Sequence, residues 1–154
     1  MILIVDTREQ NPFQFPGWDV ELRQGALTTG DYSLAGFEDR VAVERKSLDD
    51  LVGCFMGEDR TRFEKELARA RSYELFSVVV EAGLEDVAQG RYTSNMKPQA
   101  ALQTVTAFFV RYGVPFMFCG TRKGAEYLTG SLLSKHLYEI EKRYKQAQGA
   151  IHET

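Results

Sequence analysis

Two cysteines and two histidines are all the thiolate and imidazole metal ligands that the 154 residues hold. Cys54 and Cys119 stand far apart, with neither CxxC spacing nor a histidine cluster beside them. A zinc site is therefore not expected, and a reducing intracellular compartment fits best. His136 and His152 fall in the C-terminal region and read as a helix-surface and a tail residue. No stretch approaches the roughly 20 apolar residues of a membrane span. The apolar start Ile2 to Val5 ends at Asp6 without a basic leader, so a signal peptide is not expected either. Internal repeats, low-complexity tracts and linkers are missing. So is a basic excess: the net charge of -3 argues mildly against a nucleic-acid partner. Metal-binding carboxylates would lower that sum in a nuclease, so the distribution of charge matters more. What is present is 44% apolar and 27% charged content, an ordinary globular composition long enough to bury a core as one domain over residues 1–154.

Ile2 to Val5 is a continuous apolar run, the pattern of a central strand buried on both faces, and it delivers Asp6-Thr7-Arg8-Glu9 to its C-terminal end. Ligands commonly bind at that end of an α/β sheet, although the tetrapeptide taken alone reads first as a strand-end turn with a solvated Arg and Glu. Pro12, Pro16 and Gly17 mark a loop, and Asp19 to Arg23 alternates like a half-exposed strand. After Lys46 the period changes to that of a helix, with Ser47 as N-cap and Asp50 at the third helical position, where an acidic residue has a structural role of its own. Gly57-Glu58-Asp59 reads as a break. Thr61 and Glu64 then read as a capping box opening a helix to about Ser72. Arg60, Arg62, Lys65, Arg69 and Arg71 make that helix the most basic stretch and the best candidate for phosphate contacts, while Glu64 and Glu66 point to mere surface pairing. Leu75 to Val80 reads as a parallel strand, 89–97 as a polar loop and Pro115 to Cys119 as a short strand. A helix is expected from near Ser94, with Pro98 in its first turn, to Gly113, and another from Thr121 to about Ala147, with Gly130 as a possible break.

The chemistry concentrates in Gly30 to Asp50. Two short runs, Tyr32 to Ala35 and Arg40 to Glu44, flank the turn Gly36-Phe37-Glu38-Asp39 and predict a hairpin with Tyr32 opposite Val43 and Asp31 opposite Glu44. The two-residue period puts Tyr32, Leu34, Val41 and Val43 on one face and Asp31, Ser33, Ala42, Glu44 and Lys46 on the other. Facing carboxylates repel, at about 0.2 to 1 kcal/mol when solvated. A hard divalent cation between them is the natural remedy, since magnesium is held by one or two carboxylates plus water and substrate phosphate. Lys46 could then orient a metal-bound water or help deprotonate it. On the residues alone, a solvated amphipathic hairpin fits the same pattern as well.

Gly30-Asp31-Tyr32, Glu44-Arg45-Lys46 and Asp50, which closes an ERKxxxD pattern, resemble the nuclease motif of the XPF-type structure-specific endonucleases. Asp6 to Glu9 is similar to their upstream DxRE element. Arg62 to Leu67 (RFEKEL), Val78 to Glu81 (VVVE) and the FFV-containing helix add to a likeness running from Asp6 to about Leu133. The resemblance implies a restriction-endonuclease-like α/β fold, a mixed β-sheet flanked by α-helices, and metal-dependent hydrolysis of DNA near branches, flaps or forks. By matching position it implies that Asp31, Glu44 and the backbone carbonyl of Arg45 hold Mg2+ or Mn2+ and that Lys46 acts at the attacking water. Asp6, Arg8, Glu9, Arg45 and Asp50 would support the site. Family members commonly carry tandem helix-hairpin-helix modules after this domain, which this sequence does not show. DNA affinity and branch selectivity are then expected to be weak or supplied by another protein. The intact carboxylates resemble those of active family members, not of their degenerate partners. The apolar stripe of the last helix either covers the sheet or serves a second subunit, and since family nuclease domains usually pair, the resemblance implies a homodimer interface there. A non-catalytic DNA-binding or dimerisation subunit, and an enzyme of the same fold acting on other nucleic acid, are the competing readings.

Overall fold

The computed structural model describes residues 1–152. Six strands form one mixed sheet in the order β2-β1-β3-β4-β5-β6. They are β1 Ile2–Asp6, β2 Glu21–Gly25, β3 Tyr32–Leu34, β4 Val41–Lys46, β5 Leu75–Val80 and β6 Phe116–Phe118. The helices are α1 Leu48–Gly53, α2 Gly57–Ala70, α3 Leu84–Ala88, α4 Pro98–Tyr112 and α5 Arg122–His152. β1 is antiparallel to β3 and β3 to β4, while β1 with β2, β4 with β5 and β5 with β6 are parallel. The expected pairing of Tyr32 with Val43 is the observed register.

Each face of the sheet has its own core. Ala42, Phe76, Val78 and Val80 pack with Leu51, Phe63, Leu67 and Phe108 from α1, α2 and α4 and with Phe55 from the turn between α1 and α2. On the other face Leu3, Val5, Tyr32, Leu34, Val41, Val43 and Val79 pack with Phe13, Phe15, Ala125 and Leu133 from the loop after β1 and from α5. The alternation read from the hairpin thus sends Tyr32 and Val43 to α5, and Glu44 and Lys46 toward α2. Gly30 is what lets the two strands close: its φ is +86°, and a Cβ there would stand 2.6 Å from that of Ala42.

Four boundaries differ from expectation. β2 lies two residues later than the predicted strand, on the sheet edge where alternation is weakest. α2 begins at Gly57, so Thr61 and Glu64 lie inside it; Glu58 and Asp59 in its first turn complement the helix dipole in place of a side-chain cap. α4 begins at Pro98 and not near Ser94, whose hydroxyl instead accepts from the Met96 N–H. α5 passes unbroken through Gly130, where a Cβ would press on the Trp18 and Phe15 rings at 3.1 and 3.3 Å, so the glycine serves close packing. His136, expected on the helix surface, is tucked in, with Nε2 3.4 Å from a Glu74 carboxylate oxygen.

Candidate active site

β3 and β4 place the predicted carboxylates together in a cleft of about 540 Å3 between the sheet and α2. Asp6, Arg8, Asp31, Glu44 and Lys46 line it, as do Arg62, Lys65 and Arg69 of α2. Asp31 accepts the backbone N–H of Arg45 on Oδ2 at 2.8 Å, which continues the β3–β4 ladder through a side chain. In a strand the N–H and C=O of one residue leave by the same edge, so the Arg45 carbonyl also faces Asp31.

The electrostatics of this face are unbalanced. Burial, with Glu9 and Glu66 adding negative charge, pushes the Asp31 carboxyl up to about 6 against the pull of the Arg45 N–H. Glu44 is driven well above the usual carboxylate range, first by burial and then by Asp31 and Glu66. Lys46 Nζ stands 3.3 Å from Glu44 Oε1. Burial opposes its charge, but Glu44 and the neighbouring acids outweigh that and raise it above an ordinary lysine. Among the described residues no group of three or more His, Cys, Asp or Glu side chains is arranged to hold a metal ion. Side chains alone would therefore supply two ligands, with backbone, water and substrate completing the shell, the usual pattern for magnesium.

Asp6 is buried and fully engaged. Its Oδ2 accepts from Arg8 Nε at 2.7 Å and its Oδ1 from the Leu27 N–H at 2.9 Å. Burial works to raise its pKa, but these bonds and the Arg8 charge hold it below the usual value. Arg8 also donates to the Leu27 carbonyl at 3.0 Å, which fixes a largely exposed guanidinium at the cleft.

Not every predicted residue joins the cleft. The side chains of Arg45 and Glu9 lie on the other face of the sheet, bonded to each other at 2.8 and 2.5 Å, because residue parity on β4 turns Arg45 away from Glu44. Asp50 is exposed in the first turn of α1, its N–H bonded to Ser47 Oγ, and it does not line the cleft. Arg60 is bound to the Phe55 carbonyl and lies over the Phe108 ring, and Arg71 lies away from the cleft, so only three of the five basic residues of this stretch reach it.

Sequence reasoning missed Glu66, which was read as a surface-pairing residue. Of the two glutamates inside the basic stretch of α2, Glu64 does pair, with Arg60, Arg111 and the Tyr112 hydroxyl, while Glu66 lines the cleft and accepts the Gly30 N–H at 3.3 Å. The signal was there: Glu66 stands three residues after Phe63 and four before Ala70, an acid on the inward stripe of the helix.

The ERCC4 domain family model matches residues 5–146. Comparison with curated proteins gives no match. Among solved structures, XPF from Aeropyrum pernix superposes with a TM-score of 0.71 at 22% identity, over 88% of this chain and 61% of that one. XPF from Aeropyrum pernix in complex with DNA gives 0.69 at 23% identity, over 90% and 66%. The chain thus spans less than two thirds of the length of either. At this identity the likeness concerns the fold, and the six-stranded mixed sheet flanked by helices is the expected restriction-endonuclease-like one. With the family match covering nearly all of the sheet and every residue of the cleft, the chain belongs to the ERCC4 domain family of XPF-type nucleases.

Proposed function

We propose that the chain is a metal-dependent DNA endonuclease, a single nuclease unit that hydrolyses phosphodiester bonds at branched, flap or fork structures. One observation carries this reading: Asp31 and Glu44 share a sheltered cleft in which Lys46 offsets only part of their repulsion, beneath a wall of Arg8, Arg62, Lys65 and Arg69. The oxygen donors of Asp31, Glu44 and the Arg45 carbonyl suit Mg2+ or Mn2+, and a divalent cation would relieve the repulsion that raises both carboxyls. Once bound, the ion would polarise the phosphoryl group and acidify water. Lys46, whose surroundings favour its charged form, would orient the attacking water or share the phosphate's negative charge; these neighbours disfavour it as a base. Arg62, Lys65 and Arg69 would neutralise backbone phosphates on one side of the cleft.

Around this core stand further parts of the proposal. A homodimer would use the distal half of α5, where Tyr138 and Tyr144 are exposed. A separate DNA-binding partner would supply branch selectivity. No helix among the described residues is long and apolar enough to cross a membrane. A second reading, a non-catalytic DNA-binding or dimerisation subunit, is favoured by the place of Asp50, which stands in the first turn of α1 and does not line the cleft. Cleavage of end-labelled duplex, flap, fork and single-stranded DNA with Mg2+, Mn2+ or EDTA decides between them. Cutting that needs metal and is lost in Asp31→Asn and Glu44→Gln supports the endonuclease. Metal-independent binding without cutting supports the subunit.

A further inference from the structure

Behind the cleft, on the α5 face of the sheet, four charged side chains from four segments form one chain of bonds. Arg45 makes its paired bonds to Glu9 and donates from Nη1 to Glu81 Oε1 at 3.0 Å. The same Glu81 oxygen accepts from Arg122 Nη1 at 2.8 Å, and Arg122 Nη2 reaches the Asn11 carbonyl at 2.5 Å. Both guanidinium groups lie over the Phe13 ring, at 6.0 and 4.8 Å from its centre. One helical turn further along α5, Glu126 accepts the consecutive N–H groups of Gln14 and Phe15 at 2.8 and 3.1 Å, and Phe15 holds the left-handed φ of +52°. The first turns of α5 thus grip both the end of β5 and the loop that follows Asp6-Thr7-Arg8-Glu9.

We infer that Glu81 and Arg122 are positioning residues for the metal-binding edge of β4, acting through the Arg45 side chain on the Arg45 peptide; this rests on the nuclease reading above. The geometry supports it from both ends. The Arg45 N–H holds Asp31, and its carbonyl leaves by that same edge. The Glu81 N–H is bonded to the Lys46 carbonyl at 2.9 Å, so Glu81 grips β4 by backbone at one residue and by side chain at the next. A twist of the β4 backbone at Arg45 would turn its carbonyl and break its N–H bond to Asp31, and the bridge from Glu81 to Arg122 opposes that twist. Outer partners of this kind orient ligands without touching the ion.

Glu81→Gln is the informative variant, because Arg45 keeps its paired bonds to Glu9 and the partly exposed Arg122 can turn to water. Arg122→Met and Arg122→Lys accompany it. Two readouts are taken on the whole chain: Mn2+ affinity by titration calorimetry, and amide hydrogen exchange at Arg45. Glu81→Gln and Arg122→Met are expected to weaken Mn2+ binding about 3- to 10-fold and to speed exchange at Arg45, with Arg122→Lys restoring part of both and KM for DNA unchanged. Unchanged exchange at Arg45 in a folded Glu81→Gln protein overturns the inference, as does unchanged Mn2+ affinity. If the wild type binds no Mn2+, the metal reading falls, and faster or unchanged exchange still supports or overturns the clamp on the peptide.

Discussion

The two faces of β4 carry charges of similar number and opposite logic. Toward α2, Asp31, Glu44 and Glu66 crowd together with Lys46 as the nearest cation, and the carboxyls of Asp31 and Glu44 are raised first by burial and then by neighbouring carboxylates. Toward α5, Arg45, Glu9, Glu81 and Arg122 alternate in sign; burial opposes ionisation of Glu9, but its bonds to Arg45 keep it below the usual range. One face is a strained arrangement that a cation would satisfy. The other already satisfies itself and serves as scaffold. The same strand builds both because its period of two sends neighbours to opposite sides.

This contrast predicts that breaking the α2 face costs activity and breaking the α5 face costs stability. The largest effect is expected from Asp31→Asn and Glu44→Gln, each lowering kcat for DNA cleavage by roughly a thousandfold, ~4 kcal/mol, with the fold intact by circular dichroism. Arg45→Met should do the reverse first. It strands Glu9 and Glu81 half-buried without their shared partner, and loses about 3 kcal/mol in denaturant unfolding.

The sign of the charge imbalance gives a third test. In metal-free protein the Asp31 carboxyl titrates near 6, above the 3.8 of an ordinary aspartate. The native state therefore holds this proton more tightly than the unfolded chain does. The stability it contributes is full below about pH 4 and is lost as the pH rises through about 6. In EDTA at pH 7, Asp31→Asn should raise Tm by roughly 2 °C or more, and the gain should vanish near pH 4. A lower Tm at pH 7 would mean that Asp31 is not held under repulsion. Smallest are the phosphate contacts: alanine at Arg62, Lys65 or Arg69 should each reduce the salt slope of DNA binding by about 1, and Arg60→Ala should leave it unchanged.

Much of the α2 face was legible beforehand. Asp31, Glu44 and Lys46 come from one hairpin whose register follows from its own alternation, and Asp6 and Arg8 from the strand end beside it. Asp50 was legible too, but its helical position allowed a structural role, and that is the place it occupies. Glu66 was obscured because basic neighbours made the whole helix look solvated. Arg45 was read through its peptide, and the partners of its side chain could not be named: Glu81 lies 36 residues on and Arg122 lies 41 beyond that.

The sequence by itself determined whatever depends on local periodicity: the strand and helix types, the hairpin register, the parity that separates Glu44 from Arg45, and the family to which the motif belongs. The tertiary structure alone decided which distant charges meet. The parallel crossover from β4 to β5 sets Glu81 beside Arg45, α2 brings Glu66 to Glu44 in the cleft, and α5 sets Arg122 against Glu81 and Phe13 on the far face. Pairing across such separations is selected by burial and strand order, which act on the folded chain as a whole, and leaves no local periodic trace.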